Sequence, residues 1–186
     1  MTTIDLEAEL QVRKGILKGH FELASGRHAD SYIEKFRILQ WPDVTSEMCA
    51  RIAEHFRGAT NLVAGPTTGG VILAFETARQ LGLRSMIAER ADGGRGREFK
   101  RGFELGPGDD VLVVDDVLTT GGSIRDVMDA VRARGARVAG VGVLVDRAGG
   151  AIDFGVPFMA CLTVQADSWE PAQCALCREG VPLVVT

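Results

Sequence analysis

The chain contains no apolar run near the ~20 residues that a membrane-crossing helix requires. It carries no excess of basic charge: 21 Lys and Arg face 25 Asp and Glu, and a formal net charge of −4 argues against general nucleic-acid binding. Its first residues, MTTIDLEAEL, are acidic and lack the basic and apolar regions of a secretory signal, so cytoplasmic residence is the expectation. Neither G-x-x-x-x-G-K-S/T nor G-x-G-x-x-G occurs, which excludes a P-loop and a dinucleotide fingerprint. No internal repeat or low-complexity linker is present. Cysteine is scarce, at four. Cys49 and Cys161 lie in apolar patterns and read as small buried hydrophobes. Cys174 and Cys177 form a lone C-x-x-C, two ligands short of the four a structural zinc needs. Whether that pair binds anything is left open, a zinc shared across a dimer axis being one way to complete it.

The 186 residues suffice for one domain with a full core and a small added hood. Apolar content of 46% and charged content of 25% are ordinary for a globular protein, while glycine, at 23, is high and clusters in loops. Such loops suit a backbone that approaches ligands closely.

The most informative stretch is VLVVDDVLTTGGS, residues 111–123. Its apolar start suits a strand buried on both faces of a parallel sheet. Two acids follow, Asp115 and Asp116, then a hydroxyl- and glycine-rich loop, then a helical pattern. In open α/β sheets, ligands sit beyond the carboxyl ends of the strands. A glycine turn at a helix N-terminus offers free N–H groups to a phosphate, and carboxylates accept from a sugar diol. The stretch therefore reads as a cradle for a sugar phosphate. A receiver domain, which also places acids after a strand, is a poor fit: only 71 residues follow Asp115, short of the roughly 100–150 typical of a domain.

This order of residues resembles the phosphoribosyl-diphosphate (PRPP) signature of type I phosphoribosyltransferases. The resemblance implies that Asp115 and Asp116 hold the ribose hydroxyls. It implies that Thr119, Thr120, Gly121, Gly122 and Ser123 hold the 5′-phosphate, with Val117 and Leu118 in the same PRPP-binding stretch. Upstream, GHFELASGRHADSYIEK (residues 19–35) resembles the N-terminal segment of orotate phosphoribosyltransferases, which folds over the active site and helps to bind the base. Ala24 stands where many members carry lysine, and Ala29 where serine is common. Tyr32 is a candidate to stack on a pyrimidine, and Lys35 to supply a nearby charge. For His28, a surface turn residue and a ligand contact both stay open.

Along the chain, residues 3–17 read as an amphipathic helix, and 19–25 and 32–36 as short extended segments. A helix from Pro42 to about Phe56 turns Val44, Met48, Ile52, Ala53 and Phe56 inward. A strand at 61–64 leads into Gly65-Pro66-Thr67-Thr68-Gly69-Gly70, and a helix at 71–81 is stopped by Gly82. By the resemblance this second glycine loop contacts pyrophosphate through Thr67, Thr68 and Gly69, with Thr68 where some relatives have lysine. A strand at 84–89 precedes ERADGGRGREFKRGF, residues 89–103. Its cations and glycines fit an exposed basic hairpin or a mobile loop that closes on an anion. The resemblance places here a catalytic loop that reaches a neighbouring subunit, with Arg90 and Lys100 as the chosen PRPP-binding, catalytic cations. A helix at 123–134 turns Ile124, Val127, Met128 and Val131 inward. A strand at 137–145 carries Gly140 and Gly142 for close packing and ends at Asp146-Arg147. The resemblance makes Arg147 a candidate for orotate, together with Thr119 and Tyr32. A last strand spans 158–164, and the tail to Thr186 reads as irregular.

The expected fold is α/β: a type I phosphoribosyltransferase-like parallel sheet flanked by helices. Residues 1–186 form a single domain, with about 1–40 making the hood. The expected activity is transfer of the phosphoribosyl group from PRPP to orotate in pyrimidine biosynthesis, with Mg2+ carried by PRPP near Asp115 and Asp116 rather than by dedicated ligands. Transfer to another nucleobase and PRPP sensing without catalysis are the alternatives. The partners expected are PRPP, orotate and a second copy of the chain in a homodimer, with no nucleic acid or membrane.

Overall fold

The structure, a computed structural model, describes residues 5–23, 25–164 and 167–186. Residues 3 and 4 of the expected first helix, and Ala24, lie outside them. Helix α1 (Leu6–Val12) is capped by the Asp5 side chain, which accepts from the Ala8 N–H. It is shorter than residues 3–17. Lys14 takes a positive φ of 56°, and the chain turns into β1 (Ile16–Glu22). Ile16, which continues the helical stripe on paper, is buried from a strand instead.

Strand β2 (His28–Ile33) pairs antiparallel with β1. The extended segment expected at 32–36 stops at Ile33. Glu34 then accepts from the Phe36 N–H and caps a short helix, α2 (Lys35–Leu39), which buries Ile38 and Leu39. Helix α3 (Pro42–His55) follows, with Pro42 at its first position. Val44, Met48, Ile52, Ala53 and Phe56 are all buried, as their spacing requires.

The main sheet begins with β3 (Leu62–Pro66), α4 (Gly69–Leu81) and β4 (Arg84–Arg90). Strand β5 (Arg97–Phe99) folds back antiparallel on β4, so the basic stretch is a hairpin. Strand β6 (Asp110–Leu118), α5 (Gly122–Ala133), β7 (Arg137–Asp146) and β8 (Phe158–Thr163) complete it. The order is β5-β4-β3-β6-β7-β8, parallel apart from β5. Strands β6 and β7 are buried almost throughout, which explains their near-continuous apolar sequence.

Glycine at 140 and 142 has a packing cause. A Cβ at Gly140 would strike the Phe56 ring, and one at Gly142 would lie 2.6 Å from Ile52 Cγ2. These two positions let α3 sit directly on β7. Apolar clusters cover both faces of the sheet. One joins α3 and α4 to the hood through Leu6, Leu10, Ile16, Ile33 and Ile38. The other packs Ile124, Val127, Met128 and Val131 of α5 on the opposite face. Each such buried side chain contributes roughly 1.5–3 kcal/mol.

The tail is not irregular. Strand β9 (Ser168–Trp169) pairs with β2, a 3-10 turn at Pro171–Gln173 leads to α6 (Ala175–Arg178), and β10 (Leu183–Val185) pairs parallel with β1. The hood is therefore a four-stranded sheet, β10-β1-β2-β9, made from both ends of the chain. Strands of two or three residues carry little periodicity, and only the β1–β2 hairpin gives them a partner. No helix among the described residues is long and apolar enough to cross a membrane.

Candidate active site

Strand β6 runs on past the apolar residues through both acids to Leu118, so Asp115 and Asp116 are strand residues. Neighbours in a strand project to opposite faces. Asp115 lines a cavity of about 170 Å3 with Val117, Leu118, Thr119, Thr120, Gly121, Gly122 and Ser123. Asp116 lies on the other side, beside Lys35 and Gly69. A Cβ at Gly69 would collide with Asp116 Oδ2, so glycine there makes room for a carboxylate.

Both acids are buried, at 8% and 5% relative exposure. Burial pushes the Asp115 carboxyl up to about 7, helped by the Asp116 charge and opposed by the Asp116 N–H, Lys35 and Arg97. Asp115 Oδ1 accepts from the Asp116 N–H at 2.9 Å, and Asp116 Oδ1 accepts from the Val117 N–H at 2.7 Å. Asp116 Oδ2 lies 3.1 Å from Lys35 Nζ as an ion pair but receives no well-aligned hydrogen bond. The pair thus keeps acceptor capacity unused within the chain.

Gly121 has a positive φ of 77° and precedes α5, whose first turn has no side-chain cap. The N–H groups of Gly122 and Ser123 there are suited to an anion. Thr119 and Thr120 are exposed, with hydroxyls free to donate.

The Gly65–Gly70 loop lies at the end of the adjacent strand, with a cis Thr67–Thr68 peptide. Its glycines are demanded by packing as well: a Cβ at Gly65 would strike the Gly70 carbonyl, and one at Gly70 would sit 2.5 Å from Pro66 Cδ. Thr67 and Thr68 are exposed beside Gly69.

Arg97 joins the two loops. Its guanidinium donates to Thr67 Oγ1 at 2.9 Å, to the Thr67 carbonyl at 3.1 Å, to Ser123 Oγ at 3.2 Å and to the Ala88 carbonyl at 3.0 Å. Burial lowers its pKa, while the Asp115 charge raises it. Sequence reasoning counted Arg97 among the loop cations but gave the weight to Arg90 and Lys100. The strand register supplies the missing signal: Arg97 pairs with Arg90 as the last pair before the turn of the hairpin. Arg90 is exposed there and its charge acts on Arg97. Lys100 is turned to the hairpin's own acids, pairing with Asp92 and, at 3.0 Å, with Glu98.

On the other side, Arg147 follows β7. Its N–H donates to the Leu118 carbonyl at 2.9 Å, locking it to the end of β6. The buried Asp146 carboxylate accepts from the N–H groups of Ala148 and Gly150 and closes the turn that presents Arg147. Burial lowers the Arg147 pKa, and Tyr32 and Asp30 act on it in the opposite sense. Tyr32 lies in the hood with its ring centroid 5.8 Å from that of Phe21, the two rings tilted by 33°. His28 is buried among His20 and the C-terminal cysteines, so it is neither a surface turn residue nor part of this pocket.

The phosphoribosyl transferase domain family matches residues 37–176. The orotate phosphoribosyltransferase of Caldanaerobacter subterraneus subsp. tengcongensis is 48% identical over 170 residues, 91% of this chain and 88% of that protein. That of Pelotomaculum thermopropionicum is 46% identical over 185 residues, 99% and 96% of the two chains. The crystal structure of orotate phosphoribosyltransferase from Aeropyrum pernix superposes with a TM-score of 0.74 at 30% identity, covering 86% of this chain and 93% of that one.

Proposed function

The chain belongs to the phosphoribosyltransferase family, in its orotate branch, and from that premise we propose how its residues divide the transfer of a phosphoribosyl group from PRPP to orotate. A ring nitrogen of orotate displaces pyrophosphate at the anomeric carbon, giving orotidine 5′-monophosphate. The transition state has oxocarbenium character, so positioning and charge stabilisation carry the rate.

The 5′-phosphate belongs in the 170 Å3 cavity under Thr119–Ser123, on the N–H groups that open α5. The ribose hydroxyls belong to Asp115 and Asp116, whose unfilled acceptor capacity at the end of β6 supports that reading. Thr67, Thr68 and Gly69 take the pyrophosphate, with Arg97 bridging the two anion loops. Arg147, with Tyr32 and Thr119, takes the planar anionic base. The Arg97 bridge is the observation that carries this reading, because one guanidinium touches both the Thr67 loop and Ser123 of the second loop.

Carboxylate oxygens are hard donors, and Asp115 and Asp116 fit Mg2+ carried in by PRPP. When bound, Mg2+ would offset the charge of the departing pyrophosphate.

Residues 1–186 act in this reading as one cytoplasmic domain under a hood, and as a homodimer. Support for a second copy comes from a largely apolar groove of about 720 Å3 along Leu39, Pro42, Val71, Ile72 and Phe75, with Phe36 and Trp41 exposed nearby. Arg90 and Lys100 lie on a hairpin whose 92–95 tip is exposed, and in such a dimer they serve the neighbouring site. The test is the ultraviolet assay of orotate consumption with PRPP and Mg2+, beside uracil, adenine and hypoxanthine. Orotate must be consumed far faster than the others; faster use of a purine overturns the base assignment.

A further inference from the structure

The C-x-x-C at residues 174–177 is not alone. Its two missing partners are His20 and His28, more than 140 residues earlier. One ligand atom from each of His20, His28, Cys174 and Cys177 lies within 4.8 Å of the other three. His20 Nε2 is 3.3 Å from Cys174 Sγ and 3.7 Å from Cys177 Sγ, and His28 Nδ1 is 3.3 Å from Cys177 Sγ. Zn–S bonds of about 2.3 Å and Zn–N bonds of about 2.0–2.1 Å imply tetrahedral edges of roughly 3.3–3.8 Å. Three of the four sulfur–nitrogen edges fall in that range, and the remaining distances stay within 4.8 Å. The His20–His28 edge, at 2.9 Å, is the tightest, and a small ring rotation opens it.

Local structure delivers the four atoms for separate reasons. His28 stands opposite Glu22 across the β1–β2 hairpin, and His20, in the stretch of β1 where the register shifts, brings its Nε2 to 2.9 Å from His28 Nδ1. Cys174 caps α6 and Cys177 lies three residues on, within one helical turn, so both sulfurs face the same way. The cluster also has an outer partner. His20 Nδ1 is 2.8 Å from the Val181 carbonyl and can only donate there, which leaves Nε2 bare and aimed at the sulfurs. His20, His28 and Cys174 are buried. Two thiolates would cancel the charge of a divalent ion in that setting, whereas neutral thiols are weak hydrogen-bond partners for two buried imidazoles.

We propose that His20, His28, Cys174 and Cys177 hold a structural zinc ion that fastens the C-terminal segment to the hood. All four positions are protein ligands, so the site has no open place for substrate and is closed in the manner of structural zinc. The ion clamps β1 and β2 to the segment that leads into β10. Strand β2 also carries Tyr32, so the clamp holds the hood's base-facing edge in position.

The test uses the full chain, expressed with zinc supplementation, kept reduced and weighed intact by native mass spectrometry. The expected result is one zinc per chain in the wild type and near none in Cys174→Ser/Cys177→Ser. Cobalt(II) in place of zinc should give thiolate charge-transfer absorption and the strong visible bands of a tetrahedral site. Should the double variant fold poorly, chelation of the wild type gives an independent reading: Tm should fall by roughly 5 °C or more and recover on adding zinc back. These readouts do not depend on orotate transfer, so they stand apart from the assay above. A wild type that binds no stoichiometric metal, a double variant that keeps its zinc, or a Cys174–Cys177 disulfide in the native chain overturns the proposal.

Discussion

Lys35 Nζ lies 3.1 Å from Asp116 Oδ2, so the hood reaches down to the buried acid at the end of the central strand. Lys35 is 40% exposed and Asp116 only 7% by side chain, which makes the contact a solvent-facing cation on a buried anion. The neighbouring Asp115 carboxyl is held high partly by the Asp116 charge and is eased by Lys35. Replacing Lys35 with Met should therefore raise KM for PRPP about tenfold, a loss of ~1.4 kcal/mol. Asp116→Asn should cost more, roughly 10- to 100-fold in kcat/KM, because a charged acceptor is lost while the fold is kept. Steady-state kinetics with circular dichroism as the folding control checks both; wild-type rates in Asp116→Asn would remove the ribose assignment.

Arg97 should prove the most sensitive cation of the hairpin. It makes four hydrogen bonds in a fork that a lysine cannot reproduce. Arg97→Lys is expected to lower kcat/KM for PRPP by roughly a hundredfold, about 2.7 kcal/mol, despite keeping the charge. Near-normal kinetics in Arg97→Lys would mean that the bridge does not bear on the diphosphate.

Lys100 poses a different question, since its ammonium is engaged by Asp92 and Glu98. If it swings into a neighbouring site during turnover, Lys100→Ala should reduce kcat by about tenfold or more while changing PRPP affinity less than threefold. Mixing Lys100→Ala with an Asp116→Asn chain should give more activity than either variant alone, through hybrid dimers that hold one intact site. Absence of any recovery would place Lys100 in its own subunit's chemistry or in none.

Arg147 and Tyr32 should act on the base alone. Arg147→Gln is expected to raise KM for orotate by roughly ten- to a hundredfold with little effect on KM for PRPP, since a charged hydrogen bond to a planar anion is worth about 1.5–3 kcal/mol. An equal rise in both constants would indicate a collapsed turn after β7 rather than a lost base contact.

Asp115 makes stability depend on pH in a defined direction. Its carboxyl goes from an ordinary 3.8 to about 7 in the fold, so between these values the folded chain binds more proton than the unfolded one. Stability from this group is then complete below about pH 4 and is lost as pH rises through 7. Asp115→Asn should gain Tm relative to the wild type across that interval and hold the gain above it. The limit of the effect is about 4 kcal/mol, reduced by whatever charge Lys35 and Arg97 offset. A difference in Tm that does not change between pH 4 and 8 would show that Asp115 is not strained by its burial.

Much of this molecule is legible in one dimension because the relevant physics is local. The apolar run ending in Asp115-Asp116, the glycine loops that open α4 and α5, and the inward stripes of α3 and α5 follow from periodicity and turn chemistry within a few residues. Gly140 and Gly142 announce close packing, and the structure names Phe56 and Ile52 as the reason. What sequence could not decide are the relationships that depend on strand register and on contacts between segments distant in the chain. The register of β4 with β5 chooses Arg97 over its neighbours as the bridge between loops. The pairing of β10 with β1 and β9 with β2 turns an irregular-looking tail into half of the hood, and only that pairing brings Cys174 and Cys177 to His20 and His28. The C-terminal contacts leave no periodic trace: they join segments more than a hundred residues apart against an entropic cost of loop closure, and the pairing that offsets it is not set by the preferences of the residues on either side.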